Sequence, residues 1–213
     1  MTKHKSVLNK IAHLQGRRDE VPNQQLAAEL EATKNRSGIH EIADNLHNKD
    51  PHIQADCLKV LYEIGYRDPA LVANYVDDFI ELLSSRNNRL VWGAMIALST
   101  VAELKATTIG RHLEQITSTM KNGSVITIDN AVTTLAVIAS KEPRLQKQVM
   151  TFLFEHLRTC RAKDVPQHAE RMLVAIAGRT ATEFIALLNS RRSEFTPSQL
   201  KRVRKVIAAV DGK

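Results

Sequence analysis

Along most of the chain, apolar residues recur three and four positions apart, the spacing that lays them on one face of an α-helix. The pattern also returns at a fixed longer interval. Cys57, Ala94, Ala131 and Ala169 each open the motif small-x-x-x-Leu-x-x-[Ile/Val]-[Gly/Ala], at spacings of 37, 37 and 38. It is completed by Leu61, Leu98, Leu135 and Leu173, then Ile64, Val101, Ile138 and Ile176, then Gly65, Ala102, Ala139 and Ala177. A second helix follows in the same register through Val76, Leu113 and Met150, then Phe79, Ile116 and Leu153, then Leu83, Met120 and Leu157. One interval earlier, Ile39, Ile42 and Leu46 occupy the matching slots, so the repeat begins before residue 50.

Proline positions agree with this segmentation, because a residue without N–H and with fixed φ is tolerated in the first turn of a helix and not inside it. Pro22, Pro51, Pro69, Pro143, Pro166 and Pro197 all fall where helices would start. Asp50-Pro51 and Asp68-Pro69 read as N-cap followed by N1, and Thr196 to Gln199 has capping-box spacing. The expectation is about twelve helices in a single repeat domain over residues 1–213: one near 4–16, five antiparallel pairs in units 17–49, 50–86, 87–123, 124–161 and 162–195, and a terminal helix at 197–210.

On these four aligned motifs the chain resembles the HEAT-like repeat proteins of the armadillo superfamily. The resemblance covers nearly the whole chain and implies an all-α, right-handed α-solenoid, or superhelix, of about five hairpins with capping helices at both ends. The Asp and basic residues that regular HEAT units carry at fixed slots are only partly present: Asp129 has Ala55 and Trp92 as its counterparts. Such a resemblance concerns architecture, since proteins of this kind serve as scaffolds, adaptors, carriers and a few enzymes.

Composition narrows the picture. With 43% hydrophobic residues but nine aromatics and eight glycines in 213, the chain suits a helical fold and not an all-β sandwich or barrel. Cys57 and Cys160 are too few for a disulfide framework and show no CxxC or Cys/His spacing, so neither an oxidising compartment nor structural zinc is indicated. The opening residues, MTKHKSVLNKIAHL, break their apolar run at Asn9, Lys10 and His13, and no uninterrupted apolar stretch of membrane-spanning length is found. A soluble, cytoplasmic protein is expected.

Net charge is +7, and its distribution matters more than its size: residues 1–106 hold 13 Lys plus Arg against 14 Asp plus Glu, whereas residues 107–213 hold 17 against 9. Several basic residues recur at the inter-repeat turns, namely Arg86, Arg89, Lys121, Arg158, Arg161, Lys163, Arg191 and Arg192. Stacked helices would turn them into a basic edge for nucleic acid or another polyanion. The competing explanation is that cations near helix C-termini offset the macrodipole in proteins that bind nothing. On the second helices, which in this fold usually form the concave side, the register aligns Asn74, Arg111 and Gln148; Asp77, Glu114 and Thr151; Asp78, Gln115 and Phe152; Glu81 and Glu155. These are the candidate contacts for a protein partner, with Phe152 as apolar anchor. An ordinary solvated helix face would read the same way.

Catalytic patterns are missing: there is no Walker loop, GxGxxG, GxSxG or HExxH. The eight histidines, His4 among them, include no i, i+4 pair; His40 and His47 share a face and read as solvated or capping residues. Cys57 fills a slot taken elsewhere by Ala and reads as core, while Cys160, beside Arg158 and Arg161, is expected to be exposed with a lowered pKa. A weaker resemblance is to the HEAT-like DNA glycosylases, through Trp92, Asp129 and the adjoining Asn130, although Trp92 is the only Trp and lies in an apolar run. The reading is therefore a non-enzymatic scaffold or adaptor for a protein partner, without cofactor or metal; polyanion binding is second and a glycosylase a distant third.

Overall fold

The computed structural model of the chain describes residues 6–212, and its described residues form eleven α-helices and no strand. They are α1 (Val21–Ala32), α2 (Arg36–Asp44), α3 (Pro51–Arg67), α4 (Val76–Leu82), α5 (Asn88–Gly110), α6 (Leu113–Asn122), α7 (Val125–Lys141), α8 (Pro143–Thr159), α9 (Val165–Met172), α10 (Arg179–Ser190) and α11 (Pro197–Asp211). The architecture is an all-α solenoid.

The chain divides into two compact units, one ending at Asn130 and the other starting at Ala131, within α7. In the first, α3 lies between α1 and α5, and its repeat slots Cys57, Leu61 and Ile64 are completely buried. Gly65 marks the closest approach to α5: a Cβ there would sit 2.2 Å from Thr100 Oγ1 and 2.9 Å from Thr100 Cβ. The slot therefore tolerates only glycine here, whereas its counterparts are alanine. Second-helix slots behave the same way, with Ile39, Ile42, Leu46, Phe79 and Ile116 at 1% exposure or less.

The helix expected near 4–16 is not formed over the described part of that span; His4 and Lys5 lie outside the described residues. Instead, two short 3-10 turns, Leu8–Lys10 and His13–Gln15, end at Gly16 with φ +67°. Side chains from elsewhere take the N–H groups: Ala12 N donates to Asn23 Oδ1 at 2.9 Å and His13 N to Asp56 Oδ2 at 2.7 Å. With those donors occupied, a continuous i→i−4 ladder is not needed to bury Val7, Ile11 and Ala12.

In the second unit, α8 packs against α9 and α10, and α11 against α9 and α10. The fourth copy of the repeat departs from the pattern after Met172. Leu173–Ala175 is a 3-10 turn and Ala177 is exposed, because Gly178 takes φ +53° and ψ −125°, which a helix cannot accommodate. Asp50 accepts from His52 N at 2.8 Å, Asp68 accepts from Ala70 N at 3.1 Å, and Thr196 with Gln199 closes a capping box, so the expected helix starts are present. On α11, Val203, Val206 and Val210 are buried while Lys201, Arg202, Arg204 and Lys205 face water.

Among the described residues, α5 is the one helix long and apolar enough to cross a membrane. Of its most apolar window, 56% is buried against the rest of the protein, and Lys105 interrupts it with non-helical φ −126° and ψ 21°.

Candidate partner-binding face

The candidate face is made by second helices, whose apolar slots point inward and leave the intervening positions outward. In the first unit, Asn74, Asp77, Glu81, Arg111 and Glu114 are exposed. Asp77 and Asp78 lie in the first turn of α4 and Glu114 in the first turn of α6, where a negative charge is favoured by the exposed N–H groups of the helix end. An acidic row is thus stable on the free protein without a partner.

Two members of the row have structural work. Asp78 Oδ1 lies 3.0 Å from His47 Nε2, tying α4 to the turn after α2. Gln115 Nε2 donates to the Ile80 carbonyl at 3.0 Å and to Ser84 Oγ at 3.1 Å, tying α6 to α4. These contacts set neighbouring second helices side by side and withdraw both residues from the outward row.

In the second unit, Gln148, Thr151 and Glu155 are exposed on α8 and Phe152 is half-buried. Thr151 lines a cleft of about 360 Å³ with Gln146, Lys147, Met150, Phe154, Arg179, Thr180 and Glu183. The aromatic at this cleft is Phe154, stacked on Phe184 with ring centroids 6.2 Å apart. Phe154 is buried beside the Leu153 slot and lies in none of the aligned columns, whereas Phe152 is half-buried.

The basic candidates are dispersed in their roles. Arg191 is corrected: it is 8% exposed and donates from Nη1 to the Leu157 carbonyl at 2.6 Å, while Nε and Nη2 clasp Glu194. The Glu194 hydrogen bond, opposed by burial, raises the Arg191 pKa further, so this cation serves the interior. Arg158 pairs with Glu155 and Glu183, Arg161 with Asp164 at 2.6 Å, and Arg89 with Asp56 at 3.6 Å. Arg86, Lys121, Lys163 and Arg192 are exposed, and Arg86 lines a shallow cavity with Ser85, Asn88 and Asn122.

The remaining candidates separate. His40 lies 3.5 Å from Asp44 and stacks on Tyr75, so His40 and His47 answer to different carboxylates. Trp92 on α5 and Asp129 on α7 are half-buried. Neither lines the cleft at Thr151 or the cavity at Arg86. Cys57 is fully buried, and desolvation pushes its thiol up to about 12. Cys160 is also corrected: it is half-buried, and desolvation raises its thiol pKa despite the opposing Arg191 guanidinium.

Metal ligation was expected nowhere, yet one cluster of ligating side chains converges among the described residues: the donor atoms of His156, Cys160 and His168 lie within 4.8 Å of one another. This corrects the expectation that neither cysteine has a histidine at ligand spacing: His156 and Cys160 are an i, i+4 pair.

The fold is an all-α solenoid of the kind seen in HEAT and armadillo repeat structures. Among solved structures, the chain is similar to a designed armadillo repeat protein, YIII(Dq)4CqI, at TM-score 0.66 and 12% identity over 95% of this chain and 99% of that one. It is similar to another, YIII(Dq.V1)4CPAF in complex with peptide (KR)4, at TM-score 0.69 and 12% identity over 88% and 86%. Kap121p is similar at TM-score 0.66 and 16% identity, over 90% of this chain and 21% of that protein. No protein-family model matches the sequence. No curated protein matches it either.

Proposed function

We propose that the protein is a non-enzymatic repeat scaffold that binds an extended, basic segment of a protein partner across the second helices of its first unit. The observation that carries this reading is the outward row of three acids, Asp77, Glu81 and Glu114, against one cation, Arg111, interleaved with Asn74, which can hydrogen-bond a peptide backbone. Support comes from the similar designed protein whose bound peptide is (KR)4. Gln148, Thr151, Phe152 and Glu155 form a separate candidate surface on the second unit, and a cytoplasmic location belongs to the same reading. Polyanion binding is the weaker alternative, because four of its eight side chains, Arg89, Arg158, Arg161 and Arg191, are already paired with carboxylates.

Fluorescence anisotropy with a labelled alternating Lys-Arg peptide, an acidic peptide of equal length and a labelled DNA strand tests the reading. Preferential binding of the basic peptide, lost in an Asp77→Lys/Glu81→Lys/Glu114→Lys variant that retains its melting temperature, is the expected result. Binding of DNA in preference to the basic peptide, or indifference to the triple substitution, overturns it.

A further inference from the structure

We propose that His156, Cys160 and His168 form a binding site for a thiophilic divalent cation, zinc in the first instance. His156 lies in the last turn of α8 and Cys160 is that helix's C-cap residue, so one helical turn separates two ligands on one side of the helix. His168 enters from α9, after the turn at 161–164, and is 1% exposed. His156 Nε2 and His168 Nδ1 are already 3.0 Å apart, and Cys160 Sγ lies within 4.8 Å of both ligand atoms.

Tetrahedral zinc with Zn–N of about 2.0–2.1 Å and Zn–S of about 2.3 Å needs N···N near ~3.3 Å and N···S near ~3.6 Å. The two imidazoles must part by a few tenths of an ångström, and the thiol must close by about 1.2 Å at most. Cys160 can make that movement because it is the first residue past the helix, where backbone torsions are no longer set by the helical ladder.

The donor set selects the metal. Two imidazoles and a thiolate, with no carboxylate, suit zinc and its borderline neighbours and not magnesium or calcium, which take oxygen. Arg191 Nη1 lies 3.9 Å from Cys160 Sγ and supplies an N–H of the kind that orients a metal thiolate, while Glu194 offsets the guanidinium charge. Binding displaces the thiol proton to solvent, requires the proton held between His156 Nε2 and His168 Nδ1 to move to the far nitrogen of its own ring, and leaves a fourth coordination position for water. Bound there, the ion would pin the end of α8 to the eight-residue α9.

The test uses the full chain with Cys57→Ala, the residue found in the other three copies of that slot, so that Cys160 is the only thiol. After chelator treatment and dialysis, cobalt(II) is titrated in and then competed with zinc. A thiolate-to-cobalt charge-transfer band that zinc abolishes, together with zinc protection of Cys160 from alkylation, is expected. Cys160→Ser should remove the band and weaken zinc binding by more than the roughly 10–100-fold that loss of a hydrogen-bonding partner costs at a metal site. His156→Asn, altering a half-buried residue, supplies an independent ligand knockout should His168 variants fail to fold. Absence of the band, or zinc affinity unchanged by Cys160→Ser or His156→Asn in chains with native circular dichroism, overturns the proposal.

Discussion

Arg191 and Arg192 are adjacent and chemically identical, yet the structure assigns them opposite consequences. Arg191 is buried and gives one N–H to the Leu157 carbonyl near the end of α8, whereas Arg192 is exposed with no ion-pair partner among the described residues. A hydrogen bond from a charged donor is worth about 1.5–3 kcal/mol, and losing it leaves a buried carbonyl unsatisfied. The Glu194 pair adds little, because that carboxylate is 45% exposed and can be hydrated once released. Arg191→Gln should therefore cost about 2–4 kcal/mol, and Arg192→Gln should stay within about 0.5 kcal/mol. For a chain of this size each kcal/mol moves the melting temperature by about 2–4 °C, so the first variant should melt at least roughly 4 °C lower and the second within about 2 °C of the parent. Far-ultraviolet circular dichroism melts, paired with heparin retention over a salt gradient, separate stability from surface charge. The assignment is refuted if Arg191→Gln melts with the parent, or if it loses heparin retention while Arg192→Gln does not.

Three further outcomes follow from the packing. Gly65→Ala gains about 1 kcal/mol of helix propensity but drives a Cβ to 2.2 Å from Thr100 Oγ1, and the ~1–3 kcal/mol of overpacking should prevail; urea unfolding should show net destabilisation, partly relieved by Thr100→Ala. Lys59, its side chain only 9% exposed, sits 2.9 Å from Glu20 and 2.8 Å from Glu63, so Lys59→Met should destabilise by leaving the 15% exposed Glu63 with Arg67 alone, at 3.2 Å, and Lys59→Met/Glu63→Leu should recover part of the loss on the same urea curves. The Arg202 guanidinium holds the Glu170 carboxyl below its usual range, against a smaller opposing effect of burial. Its contribution is fully present above the ordinary glutamate range and lost as pH falls through the lowered folded value, so Glu170→Gln should flatten the acid side of the stability profile, by about 0.2–1 kcal/mol at these exposures.

The inward half of this fold was legible because its slots are periodic. Leu98, Ile116 and Leu135 must be buried wherever the units stack, and proline can stand only at helix starts. The face pointing outward carries no such constraint, and there the alignment of columns could not separate Asp77, which is exposed, from Asp78, which holds His47. Arg191 was lost for the same reason: its burial depends on which side of the α10 terminus meets Leu157, a tertiary fact absent from any local pattern. The His156, Cys160 and His168 cluster needed the 161–164 turn to bring α9 back against α8. The 3-10 turns before α1 required Asn23 and Asp56 to capture backbone donors from a distant segment.

Gln115 reaches back 35 residues to the Ile80 carbonyl, and Arg191 reaches back 34 to that of Leu157. In both units a carbonyl near the end of a second helix accepts from a side chain that comes later in the sequence, at Ile80 in addition to the Leu83 N–H. During synthesis, a hairpin leaving the ribosome therefore lacks this cross-link until about one further repeat length has been translated. Shortening the chain from its C-terminus removes such a donor and loosens the hairpin left behind, whereas removal from the N-terminus leaves these two cross-links in place.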